Sequence, residues 1–173
     1  LGRYTEARTA LKTYIEQVPT DITTIIRLGE IAGILKEFTE ANLYLNNAVI
    51  AWYKPKADIE RQLAYNYSAL WDTIAMVKVL SYLLSEKESI EDDFAVAISL
   101  AFSRWENARA YVWAIEWLKK FPNSPILAPL YMTALRLIWR GNEVERFAST
   151  LSGEVLNSPL YLLEMAIYKY DTG

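Results

Sequence analysis

Cysteine and histidine are both missing from this 173-residue chain. Without cysteine there is no disulfide framework and no sign of a redox compartment. Without either residue, the ligand sets of nearly all zinc, haem and iron–sulfur centres are excluded, as are histidine-based catalytic triads. Glycine and proline are scarce, six of each. That is too few for an all-β chain, which needs turn residues every ~8–12 positions. A surplus of positive charge is missing too: the formal net charge is −3, which argues against the basic stripe of a nucleic-acid surface. No apolar run approaches the ~18 residues of a membrane span; Ala95 to Phe102 is far too short. No glycine-rich phosphate loop, dinucleotide fingerprint or nucleophile elbow occurs. Little enzyme chemistry survives these absences, so no catalytic residue, cofactor or metal is expected.

What is present is apolar and periodic. The chain is 53% hydrophobic and 23% charged, the balance of a globular domain with a sizeable core. Gly2-Arg3-Tyr4-Thr5-Glu6-Ala7 is followed four residues on by Leu11. A shift of 34 gives Lys36-Glu37-Phe38-Thr39-Glu40-Ala41, again with Leu45 four residues on. Near the other end, Asn123-Ser124-Pro125 returns as Asn157-Ser158-Pro159 at the same spacing. Recurrence at a period of this size is the signature of stacked repeats.

On these residues the chain resembles the tetratricopeptide repeat family, whose unit is a helix–turn–helix of about 34 residues. Gly2, Tyr4, Ala7 and Pro19 fit the second helix and closing proline of one repeat. Ile25, Leu28, Gly29, Ala32, Phe38, Ala41, Leu45 and Ala48 fit nearly all of the next, with Ala32 where an aromatic is usual. Leu63-Ala64, Tyr67 and Leu80 suggest a third repeat, with Met76 at a position that is small in the family. Phe94, Ala110 and Pro122 suggest a fourth, in which Trp105 and Trp117 are unusual occupants. Ala134, Leu137 and Gly141 suggest a fifth, with Arg146 in place of the small residue of its second helix. The expected fold is therefore all-α, an α-α superhelix of about five repeats and about ten helices. Residues 1–173 are read as a single repeat segment cut at both ends from a longer protein.

Elementary packing supports this reading. Small residues such as Gly29, Ala41 and Ala64 let helix axes approach to the short end of the ~8–10 Å range. Each helix pair leaves an apolar face that only the next pair covers. Helices are predicted over 3–17, 22–35, 38–53, 57–70, 72–85, 90–104, 106–120, 125–140, 142–151 and 158–171. The breakers are Pro19 to Asp21, Pro55, Ser85 to Ser89, Pro122 to Pro125, Gly141-Asn142 and Gly153.

Six Trp and twelve Tyr are a heavy aromatic load. Trp113 and Trp117, four apart on one helix face, are read as core filling, with an exposed platform for a peptide or sugar ring as the alternative. Glu91-Asp92-Asp93 is read as first-turn chemistry at the positive end of a helix, and Lys119-Lys120 as its counterpart at a C-terminal end.

In the family, the first helix of each repeat lines the concave groove where partners lie. The resemblance places Thr23, Ile26, Arg27, Glu30 and Gly33 there in the second repeat, and Arg61, Gln62, Tyr65 and Ser68 in the third. The Lys and Asn pattern that grips a peptide's terminal carboxylate is not reproduced. The resemblance thus implies a non-catalytic scaffold with a protein or peptide partner and no nucleic acid. The alternative is a segment of a bacterial envelope or exopolysaccharide-export protein meeting a polysaccharide or a polysaccharide-modifying enzyme. Compartment stays open between periplasm and cytoplasm. The apolar stretch Leu160 to Tyr168 is unlike the polar cap of a solenoid end, so self-association through the ends is expected.

Overall fold

The computed structural model describes residues 2–51 and 56–173. Among the described residues are ten α-helices, one 3₁₀ turn and no strand. The helices are α1 (Gly2–Gln17), α2 (Ile22–Ile34), α3 (Phe38–Ile50), α4 (Lys56–Ala69), α5 (Thr73–Ser85), α6 (Glu91–Ser103), α7 (Asn107–Leu118), α8 (Leu127–Leu137), α9 (Asn142–Ala148) and α10 (Pro159–Thr172). They match the helices expected from sequence, with ends displaced by a few residues. The expected breaker Pro55, and positions 52 and 53 at the end of the third expected helix, lie outside the described residues. Gly153 does more than break a helix: with φ +69° it opens the 3₁₀ turn Gly153–Asn157.

Residues 1–88 and 89–173 form two compact units. In the first, α1 packs on α2, α2 on α3, α3 on α4 and α4 on α5, while α2 also touches α4. In the second, α6 packs on α7 and α7 on α8; α8 additionally meets α6, α9 and α10. From α1 to α5 and from α6 to α9 each helix packs against the next, as in a repeat built from helix pairs, while α10 packs on α8 and the 3₁₀ turn.

The helix starts follow from local chemistry. Asp21 caps α2, its carboxylate accepting from the Thr23 and Thr24 N–H groups at 3.1 and 3.4 Å and from the Thr24 hydroxyl at 2.8 Å. The Thr24 hydroxyl, then the two backbone N–H groups, hold this carboxyl below its ordinary range. Asp72 caps α5 through Ala75 N–H. Ser124 accepts from Ile126 and Leu127 N–H ahead of α8, and Ser158 does the same for Tyr161 with Pro159 at the first helical position. The recurring Asn-Ser-Pro is therefore a helix-start device. Asp93 ends the acidic run of α6 by accepting from Ile90 N–H at 2.8 Å, as first-turn chemistry requires.

The turns inside the repeats carry the register. Lys36, Trp71, Trp105 and Trp139 have φ of 62°, 58°, 60° and 64°. Each donates its N–H three residues back, to Gly33, Ser68, Phe102 and Arg136 respectively. The following residue donates five back: Glu37 to Ala32, Asp72 to Tyr67, Glu106 to Ala101, Arg140 to Leu135. This pair of bonds is the Schellman closure, whose left-handed position is usually glycine.

Counting from those turns aligns the core. Ala41, Met76, Ala110 and Val144 fall at one level of the second helices, Leu45, Leu80, Ala114 and Ala148 at the next, and Ala48, Leu83 and Trp117 at the third, a count that reaches Leu151 just beyond the end of α9. All twelve are buried. The expectation that Arg146 takes the small position of the fifth repeat is corrected here: Val144 does, and Arg146 is exposed. Gly141 suggested the wrong register because it is not the left-handed residue; its φ is −54°, and Trp139 makes the turn.

Candidate partner-binding face

The sequence-predicted residues lie together on the first helices of the first unit. On α2, the buried residues Thr24, Leu28, Gly29, Ile31 and Ala32 turn one way, and Thr23, Ile26, Arg27, Glu30 and Gly33 turn the other. On α4, Leu63, Ala64 and Asn66 face the core, while Arg61, Gln62, Tyr65 and Ser68 form the opposite stripe. Both stripes follow from the 100° advance per residue of an α-helix. A Cβ built on Gly33 would stand 3.3 Å from Gln62 Nε2 and 3.7 Å from Asn66 Oδ1, so the two stripes meet there across the α2–α4 contact.

Most of these side chains are held by neighbours. Arg27 pairs with Glu30 at 2.8 Å. Arg61 pairs with Asp58 at 2.8 Å and donates to the Glu88 carbonyl at 2.7 Å. Gln62 donates to Asn66 Oδ1 at 2.9 Å. The exposed Tyr65 ring meets Phe38 edge-on, centroids 6.1 Å apart. Thr23 and Ser68 are exposed and Ile26 half-buried. The surface is mixed, with an aromatic edge, two ion pairs and small hydroxyls.

A cavity of about 350 Å³ lies on the other side of α4, lined by residues of α3, α4 and α5 that include Asn46, Glu60, Tyr67, Lys78 and Tyr82. Sequence reading missed it because its wall comes from three helices and no local pattern marks it.

In the second unit, the two tryptophans considered as a platform divide. Trp117 is wholly buried, and Trp113 is half-buried with the Arg109 guanidinium 5.8 Å from its ring centre. Both serve packing. Three other tryptophans, Trp71, Trp105 and Trp139, face water, and sequence reading did not single them out as a site. Their regular 34-residue spacing was the available signal. A second cavity, of about 500 Å³, is lined by Arg136, Leu137, Trp139, Gly141, Tyr168, Asp171 and Thr172. Among the described residues no cluster of three or more acidic side chains is arranged to hold a metal, and no helix is long and apolar enough to cross a membrane.

No family model matches the chain, and no curated protein does. Solved structures do match. A structure of MamA protein superposes with a TM-score of 0.69 at 15% identity, covering 91% of this chain and 83% of that one. A second MamA structure gives 0.67 at 13% identity, covering 99% and 93%. A tetratricopeptide repeat protein from Parabacteroides merdae ATCC 43184 gives 0.67 at 18% identity, covering 84% of this chain and 58% of that one. The fold is all-α and tetratricopeptide-like, as the 34-residue recurrences imply.

Proposed function

We propose that the chain is a non-catalytic protein-interaction scaffold that takes a protein or peptide partner along the first-helix face of its repeats. The observation that carries this is the pair of stripes on α2 and α4, which turn away from the core and meet at Gly33 and Gln62. Partner recognition by a repeat protein needs such a surface, contiguous across repeats and free of core duties. Pre-paired side chains such as Arg27–Glu30 and Arg61–Asp58 lose little further freedom on binding. Photo-crosslinking in cells tests the reading. A benzophenone side chain at position 65 or 23 should give discrete protein adducts that are absent when the same group sits at Ser81, an exposed residue of α5. Equal adducts from all three positions, or from none, overturn it.

A further inference from the structure

Trp71, Trp105 and Trp139 occupy one position in three consecutive repeats, and they are 87%, 86% and 95% exposed. Two unfavourable features coincide at each. A non-glycine residue holds a left-handed conformation, and a large apolar ring stands in water. Neither feature helps the turn, whose closure uses main-chain atoms alone. A fold that needed only the turn would place glycine there.

In the second unit two of these rings share an edge. Helices α6 and α8 touch, and because chain direction alternates at each turn they run the same way. Their C-terminal ends therefore lie at the same edge, and the turns that follow them carry Trp105 and Trp139. The ground around the rings is polar and balanced. Arg104 and Arg109 pair with Glu106 at 2.8 and 2.5 Å, Arg140 with Glu143 at 2.5 Å, and Arg136 with Glu164 and Asp171 at 2.7 and 2.6 Å.

That setting selects the occupant. Matched charges leave no field to attract nucleic acid, an acidic peptide or an anionic membrane. Sinking the rings into any bilayer would strip water from the Arg104, Glu106 and Arg140 groups beside them. A protein hot spot is an aromatic enclosed by near-neutral contacts that exclude water, whereas these rings project from a turn among charged groups. What suits a flat apolar face within a rim of fixed donors and acceptors is an uncharged sugar chain, whose rings have C–H faces and hydroxyl edges. The cavity beside Trp139 supplies a Tyr168 wall and the polar groups of Arg136, Asp171 and Thr172.

We propose that this edge binds a neutral polysaccharide, with Trp105 and Trp139 stacking on separate sugar rings and one sugar unit entering the cavity beside Trp139. The proposal is independent of the first-helix reading. Its test is affinity electrophoresis through gels containing starch, galactomannan, xyloglucan, xylan or mixed-linkage β-glucan, alongside flotation with phosphatidylcholine vesicles. At least one glycan should retard the wild-type chain. The Trp105→Gly/Trp139→Gly variant should migrate freely in that gel while melting at an unchanged or higher temperature. Trp105→Tyr/Trp139→Tyr should keep part of the retardation, and Arg27→Ala/Tyr65→Ala should keep all of it. Absence of retardation in all five gels, retardation that survives the glycine variant, or tryptophan-dependent flotation without glycan retardation overturns the proposal.

Discussion

The two units solve one packing problem with different side chains. At the three core levels of the second helices, α3 offers Ala41, Leu45 and Ala48, and α5 offers Met76, Leu80 and Leu83. In the second unit α7 offers Ala110, Ala114 and Trp117 at those levels. The bulk that α3 places at its middle level as Leu45 is moved one turn along α7 and gathered into a single indole, with alanine left behind. Apolar character and burial are retained while the sizes and their order are not: α5 fills all three levels with large side chains, and α3 and α7 fill one each. What the repeats share is three buried apolar levels at fixed distances from the turn, filled by side chains of different size.

Several substitutions sharpen or break that comparison. Trp117→Ala should have the largest effect, about 3–5 kcal/mol of unfolding free energy in denaturant titration. Adding Ala114→Leu should recover part of the loss by returning bulk to the middle level. If the second change only adds to the damage, bulk is not exchangeable between levels. In the first unit, Ala41→Trp should cost about 1–3 kcal/mol or more, because overpacking is felt where a small residue is wholly buried. An undiminished melting temperature would break the alignment of Ala41 with Ala110.

Gly29→Ala should cost less. Its methyl would stand 2.7 Å from Leu45 Cγ and Cδ2, and Leu45 is itself buried. Overpacking of about 1–3 kcal/mol is offset by about 1 kcal/mol of helix propensity, for a net loss near 1 kcal/mol. The same unfolding curve reads it.

The attachment of α1 is weaker still. No residue of α1 is buried; Arg8 pairs with Glu37 and Glu40, and Lys12 with Glu40 at 2.5 Å. Lys12, through its hydrogen bond, holds the Glu40 carboxyl below its ordinary value of 4.5. A lowered folded value means the contribution is present above the ordinary value and lost as pH falls through the folded one. Docking of α1 should therefore weaken below about pH 4.5 by roughly 0.2–1 kcal/mol, and Glu40→Gln should reduce this pH dependence, leaving the Arg8–Glu37 pair. NMR shifts of α1 amides, followed on acidification in both proteins, measure it. The smallest effect belongs to the turns. Lys36→Gly or Trp71→Gly should stabilise by about 0.5 kcal/mol, relief of ~1–2 kcal/mol of left-handed strain being mostly cancelled by the entropy of glycine. A clear loss in thermal unfolding would mean that the side chain supports its turn.

Much of this fold was legible beforehand because helical periodicity and capping are local. The breakers Pro19 to Asp21 and Pro122 to Pro125 were placed from sequence, and within them Asp21 and Ser124 cap the helices that follow. The register of the later repeats was harder to read. Glycine is the residue expected in a left-handed turn, so Gly141 drew attention that belonged to Trp139. Trp117 could be read as filler or platform from sequence, since helical spacing alone does not say which face is covered. The first-helix residues came from the resemblance, and each set lies on one face of a single helix; the cavity against α4 was not legible, because three helices assemble it.

The main-chain closure of the four turns has one further consequence. Since no side chain takes part, the left-handed residue is a display position that recurs once per repeat, and its occupant can be exchanged without disturbing the helices around it. Lysine stands there once and tryptophan three times. Two equal displays on one unit make recognition bivalent, so the second contact forms at high effective concentration once the first is made. Selection at such positions can then tune affinity one repeat at a time, independently of folding.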